Sequence, residues 1–245
     1  MIFLLLKKKF GASKFYKERF IVMNREQVYK CAELTNIKPS SERKDIRKLC
    51  SDAKRLSVCG VCVNPEWSHY ARNQLKDTNI KIVHVHGFPT SQCTILDGDE
   101  IDILVRFKGF LKDGKQGKRI AKAMIVSLLK DMKSKGYSSE KIKIVIETHI
   151  LNDKEVVAIS DILTQCKVGY IKSSTGLFQR LITRDNDEDL RLIVKGTKLF
   201  GLIPRKLFGM YVPKIKISGG VRTVQQAEKL LSNGADIVGT SSLQG

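Results

Sequence analysis

Acidic residues are scarce in this 245-residue chain: 25 Asp and Glu stand against 44 Lys and Arg, a formal net charge of +19. Such an imbalance points to anionic partners, whether a polyanion, a membrane surface or a phosphorylated substrate. Long apolar runs are also lacking. Only the opening MIFLLL is continuously apolar near the N-terminus, far short of the roughly 18 residues a membrane span requires, so a spanning helix is excluded. Six cysteines, at positions 31, 50, 59, 62, 93 and 166, are too few for a disulfide scaffold in a chain of this length. They imply a reducing compartment, and the expected location is cytoplasmic. Aromatic residues make up 7%, and with no RNA-stacking motif and the basic residues spread along the chain, nucleic acid is a poor partner. There is no GxGxxG after the first strand and no GxxxxGK[ST], so the phosphate-cradling turns of dinucleotide and P-loop folds are absent.

The first residues carry Lys7, Lys8, Lys9, Lys14, Lys17 and Arg19 against Glu18. The apolar stretch precedes this basic cluster, the reverse of a secretory signal, and no small-residue cleavage site follows. Residues 1–25 are therefore read as a basic, disordered extension, and 26–245 as one domain. Cys59 and Cys62 have CxxC spacing, yet no second such pair completes a zinc set. VCGVCV reads as buried strand, and no metal is expected.

From residue 33 onward, β-branched runs alternate with amphipathic helical stretches. Strands are expected at 33–37, 58–64, 81–85, 100–105, 141–148, 169–174, 213–218 and 236–241. Helices are expected near 42–56, 66–77, 117–135, 153–166, 187–201 and 223–233, the last opened by a Thr223/Gln226 capping box. Strands alternating with helices imply parallel pairing, because a parallel crossover needs a covering element. This number of strands in the chain fits an α/β (β/α)8 TIM barrel. Two connections depart from the full pattern. TSQCTILDGD, between Pro89 and Glu100, is too short for a standard crossover, so helix 3 is expected to be missing or shortened, leaving the outer faces of strands three and four uncovered. The chain also stops at Gly245, leaving no room for the C-terminal closing helix.

In such a barrel, side chains at the C-terminal strand ends converge on one mouth. Asp102, Lys172 and Lys216 are the informative ones. Lys172 lies in the otherwise uncharged GYIKSSTG, and Lys216 alternates with apolar residues in KIKIS. An inward lysine beside a second cation has its charged form disfavoured, which favours a nucleophilic amine. Ser218-Gly219-Gly220 and Gly239-Thr240-Ser241-Ser242 end the last two strands, where glycines admit an anion to the backbone and hydroxyls can donate to it. Thr175-Gly176, after strand six, offers a further donor edge.

The segments ELTNIKP, VCVNP, HGFP, DEIDIL, KIVIET, YIKSSTG, KISGGVRT and GTSS, in that order, resemble the deoxyribose-phosphate aldolases, class I Schiff-base aldolases on a (β/α)8 barrel. The resemblance implies that Lys172 forms the imine, that Lys216 perturbs it, and that Asp102 belongs to a proton relay. It places Gly176, Gly219, Gly220, Ser241 and Ser242 in phosphate-facing turns, and Cys62 and Lys143 beside the site. The implied reaction is reversible cleavage of 2-deoxy-D-ribose 5-phosphate to glyceraldehyde 3-phosphate and acetaldehyde, in deoxyribonucleotide catabolism. No cofactor is required, the partner is a small phosphorylated sugar, and a homodimer is left open. The sequence differs from the family pattern at Glu33 for Asp, Leu34 for His, Arg106 for Asn, Ser173 for Thr, and Leu177 for a basic or polar residue. Glu147, with no partner visible in the sequence, is read as a structural carboxylate. Two alternatives stand beside the aldolase: a catalytically impaired barrel acting as a binding protein, and a basic nucleic-acid-binding protein, whose affinity would fall steeply with salt.

Overall fold

A computed structural model of the protein describes residues 23–88, 97–178, 184–200, 203–204 and 209–244. Residues 1–22 of the expected extension lie outside them. The chain is already ordered at Asn24, whose side chain accepts from Gln27 N while Gln27 returns a bond to the Asn24 backbone, a capping box opening α1 (Arg25–Tyr29). Val28 from this short helix is buried.

Eight parallel strands then close a barrel: β1 (Ala32–Asn36), β2 (Gly60–Val63), β3 (Lys81–His86), β4 (Glu100–Leu104), β5 (Ile142–Val145), β6 (Tyr170–Lys172), β7 (Lys214–Ser218) and β8 (Ile237–Thr240), with β8 pairing back to β1. The helices between them are α2 (Arg43–Leu56), α3 (Ser68–Leu75), α4 (Gly114–Ser134), α5 (Asp153–Gln165), α6 (Asn186–Lys198) and α7 (Val224–Ser232). α7 opens on the expected Thr223/Gln226 capping box. The fold is the (β/α)8 barrel that the alternation of strand and helix implied.

Strand alternation sorts the side chains into two populations. Leu34, Val61, Ile82, Ile101, Ile103, Ile142, Ile144, Ile171, Ile215, Ile217 and Val238 belong to the large apolar cluster shared with the helices. The intervening positions carry Glu33, Glu100, Asp102, Lys143, Lys172 and Lys216, all at or near zero exposure. Cross-strand register keeps them on one face: Asp102 is opposite Lys143, and Lys172 is opposite Lys216. A smaller apolar cluster, Ile37, Cys62, Val83, Val85, Phe88 and Val145, completes the interior. The outer wall is therefore greasy and the inner wall ionic, with Ile and Val supplying strand propensity on the first.

Three local expectations are revised. β5 ends at Val145 rather than running to Thr148, because Glu147 takes a left-handed conformation (φ 51°, ψ 65°) and opens a 3-10 turn, Thr148–Ile150. α6 ends at Lys198, and Leu199–Phe200 pairs antiparallel with Ile203–Pro204 outside the barrel. Residues 89–96, on which the expected loss of helix 3 falls, lie outside the described residues. The outer faces of β3 and β4 are nonetheless covered: His84, Ile82 and Ile101 are buried. The Tyr137 hydroxyl donates to Gly98 O at 3.1 Å, and its ring meets His84 edge-on at 5.8 Å.

Candidate active site

Lys172 ends β6, and its Nζ donates to Asp102 Oδ2 at 2.6 Å. Lys216, one strand over, donates to the same oxygen at 2.9 Å and also to Glu33 Oε2. Lys143 donates to Glu100 Oε2 and stands 3.3 Å from Glu33 Oε1 and 3.9 Å from Asp102 Oδ1. Three buried lysines are thus matched by three buried carboxylates. Burying one such charge alone is prohibitive, so the set is stable only because every member faces an opposite charge.

The titration behaviour follows from this pairing. Burial alone would raise the Asp102 carboxyl, but Lys172, then Lys216 and Lys143, hold it well below the usual carboxylate range. Burial alone would lower the Lys216 ammonium, but Asp102 and Glu33 raise it well above an ordinary lysine. Lys143 is raised in the same way, chiefly by Glu33 and Asp102. Lys216 thus favours its charged form beside Lys172, and it arrives with counterions of its own. Cys62, also fully buried, has its thiol pushed up to about 12 by burial and then by Asp102, so it stays protonated 3.7 Å from that carboxylate.

Above this layer opens a cavity of about 650 Å³. Lys172 reaches its floor, and Thr175 and Gly176 line one side. Gly219, Gly220, Ser241 and Ser242 line another. Asp102, Lys143, Lys216 and Cys62 are not among its walls and sit buried in the barrel interior. The expected residues thus divide into a buried ionic layer and a cavity rim, with Lys172 belonging to both. Gly219 has φ +91°, and a Cβ there would stand 2.9 Å from Ser174 Oγ, so both backbone conformation and space require glycine. A Cβ on Gly239 would strike Ser218 Oγ and approach Lys216 Cε at 3.1 Å. The Thr175 backbone N–H is already committed, donating to Glu147 Oε1 at 2.6 Å, so at that position the hydroxyl is what remains to offer a ligand.

Sequence reasoning missed Glu100 as a member of the ionic layer and met Glu33 only as a departure from a pattern. The signal for Glu100 was present: EIDIL alternates as KIKIS does, and Glu100 shares the face of Asp102. The left-out Glu147 has partners in Thr175 and in His149, whose Nδ1 lies 2.8 Å from Glu147 Oε2. Cys59 donates to Ala32 O at 3.1 Å. Among the described residues, no three His, Cys, Asp or Glu side chains are grouped to hold a metal ion, and no helix is long and apolar enough to cross a membrane.

A (β/α)8 barrel with buried lysines and carboxylates beneath a cavity has the architecture of the barrel enzymes that work at the C-terminal mouth. No protein-family model matches the chain. It is 30% identical to the deoxyribose-phosphate aldolase of Dictyoglomus turgidum over 234 residues, 90% of this chain and 95% of that protein. It is 32% identical to the deoxyribose-phosphate aldolase of Clostridium botulinum strain Loch Maree over 219 residues, 84% of this chain and 92% of the relative. The fold superposes on the tetrameric deoxyribose-phosphate aldolase structure from Aeropyrum pernix with a TM-score of 0.66, at 20% identity and 94% coverage of each chain. The chain belongs to the deoxyribose-phosphate aldolase family, whose members are aldehyde-lyases.

Proposed function

We propose that the protein cleaves 2-deoxy-D-ribose 5-phosphate reversibly to glyceraldehyde 3-phosphate and acetaldehyde through a Schiff base on Lys172, as a cytoplasmic enzyme of deoxyribonucleotide catabolism. The observation that carries this reading is that Lys172 alone joins the ionic layer to the cavity, 2.6 Å from Asp102 and beside the glycine- and serine-lined rim. Lys172 attacks the C1 aldehyde once it has given a proton to Asp102, and loss of water from the carbinolamine leaves a protonated imine. The C3 hydroxyl then gives up its proton, and the C2–C3 bond breaks. Its electron pair flows to the imine nitrogen as an enamine, and C3 leaves as the aldehyde of glyceraldehyde 3-phosphate. Protonation of the enamine at C2 and hydrolysis of the imine release acetaldehyde and regenerate the lysine. Covalent catalysis splits one hard step into easier ones, and Asp102, Lys216 and water carry the protons. Lys216 is charged at rest and offsets the carboxylate beside the cationic intermediate. Gly176, Gly219, Gly220, Ser241 and Ser242 hold the 5-phosphate, aided by the Thr175 hydroxyl, while Cys62 and Lys143 support the site from beneath.

Borohydride reduction in the presence of substrate is expected to leave a mass adduct on Lys172 and to abolish turnover, and Lys172→Ala is expected to show neither adduct nor activity. An adduct on another lysine, or unchanged turnover in Lys172→Ala, overturns the scheme.

A further inference from the structure

Between the ends of β5 and β6 sits a buried pair that the proposed chemistry does not use. Glu147 is 4% exposed and His149 5% exposed. Glu147 adopts φ +51°, a region that a non-glycine residue occupies at a cost unless its surroundings compel it. Its two carboxylate oxygens are divided. Oε1 accepts the Thr175 N–H at 2.6 Å, while Oε2 lies 2.8 Å from His149 Nδ1, placed as a charge partner. The His149 ring in turn stands 6.1 Å from that of Phe178, just past the same turn.

This turn, Ser173–Leu177, lines the cavity through Thr175, Gly176 and Leu177 and is held from several directions. Thr148 N donates to Ser173 O at 2.9 Å and Ile146 N to Lys172 O at 3.0 Å, so the β5 and β6 ends stay coupled beyond their strands. A Cβ on Gly176 would stand 3.6 Å from the Gly219 Cα, which puts the two glycine turns in contact across the rim. The Gly219 turn has its own anchor, Asn186 Nδ2 donating to Gly219 O at 2.9 Å. A carboxylate facing the back of an anion-binding turn would repel the anion unless its charge were spent elsewhere. Here one oxygen is directed onto a backbone N–H and the other faces the His149 imidazole at 2.8 Å, on the side away from the cavity wall.

We propose that Glu147 and His149 are positioning residues that set the Ser174–Gly176 turn for the phosphate group of the substrate, Glu147 by fixing the Thr175 backbone and His149 by holding the Glu147 carboxylate. The proposal rests on the aldolase reading for the identity of the substrate, but its primary readout is binding of inorganic phosphate. In Glu147→Ala the affinity for phosphate is expected to fall about tenfold, with a matching rise in KM for deoxyribose 5-phosphate and little change in kcat. Turnover of unphosphorylated 2-deoxyribose, which makes no phosphate contact, is expected to be unaltered. Glu147→Gln, which keeps an oxygen for the Thr175 N–H, is expected to recover part of the loss, and His149→Asn to resemble it. Should Glu147→Ala fail to fold, these two carry the test. Equal losses on the phosphorylated and unphosphorylated sugars, or unchanged phosphate affinity in all three variants, would overturn the proposal. A wild-type protein that shows the phosphate effect without cleaving either sugar would overturn the aldolase reading and leave this one standing.

Discussion

Lys172 Nζ and Asp102 Oδ2 lie 2.6 Å apart in a region where neither side chain is more than 1% exposed. The same oxygen receives Lys216 at 2.9 Å. One carboxylate therefore separates two lysines that would otherwise confront each other at close range without compensation. The geometry gives Asp102 a structural duty and the proposed reaction would give it a chemical one, and a single substitution should expose both.

Asp102→Asn leaves Lys172, Lys216 and Lys143 with only Glu33 and Glu100 to balance them. Breaking a buried pair by removing one partner costs about 3–5 kcal/mol, because an uncompensated charge stays behind. Urea denaturation at neutral pH should show a loss of that size. Deoxyribose 5-phosphate turnover should fall by about 10²–10⁴, the usual contribution of a positioned acid or base. A variant with wild-type stability would show that the lysines were never held by this carboxylate.

Lys143 and Glu100 test whether the deeper part of the layer acts as a unit. Lys143 donates to Glu100 and faces Glu33, while Glu100 also receives Lys81 from the barrel's outer rim. Lys143→Met leaves Glu100 with Lys81 and Glu33 with Lys216, and Glu100→Gln leaves Lys143 with the more distant Glu33 and Asp102. Making both changes removes one charge of each sign, so the double variant should be more stable than the sum of the single losses by about 1–3 kcal/mol, the range found for residues sharing a buried network. Additive losses would show that the two side chains do not interact energetically.

How far this centre was legible in the sequence depended on whether its signal was local. KIKIS announces an inward Lys216 by strict alternation, and GYIKSSTG isolates Lys172 among uncharged neighbours, so both could be placed from a few residues. Glu100 obeys the same alternation in EIDIL but lies one inward position below Asp102, away from the mouth, where a reading focused on strand ends does not look. Glu147 gave no local signal at all. IVIET alternates as though the strand continued, and the left-handed turn at 147 goes with a side-chain bond to a Thr175 backbone N–H that lies 28 residues away in sequence. The early end of α6 did have a cue, Gly201 and Pro204 closely following Lys198, residues that punctuate helices. Barrel closure was different again: alternation implied parallel strands, but only the pairing of β8 with β1 joins the ends.

His84 provides the sharpest dependence on pH. It is fully buried on the outer face of β3, edge-on to Tyr137, and neither ring nitrogen has a hydrogen-bond partner among the described residues. Burial first of all pushes its pKa down from 6.5 to about 4, overriding the opposing pull of Asp102. The folded protein therefore keeps this imidazole neutral over a range in which the unfolded chain protonates it. Where the unfolded state binds more protons, stability rises with pH, so stability should decline as pH falls from about 6.5 towards 4 and level off below that for this group. At about 1.4 kcal/mol per unit, the decline attributable to His84 is about 3 kcal/mol. Asp102 and Glu100, both held below the usual carboxylate range, add their own losses only at more acid pH, because a depressed carboxyl stabilises the fold until pH drops below its unfolded value. His84→Leu, close in volume and unable to titrate, should therefore flatten the stability profile between pH 6.5 and 4.5 while leaving the steeper acid limb in place. Urea midpoints measured across that window for both proteins decide the matter, and parallel profiles would mean that another group carries the dependence.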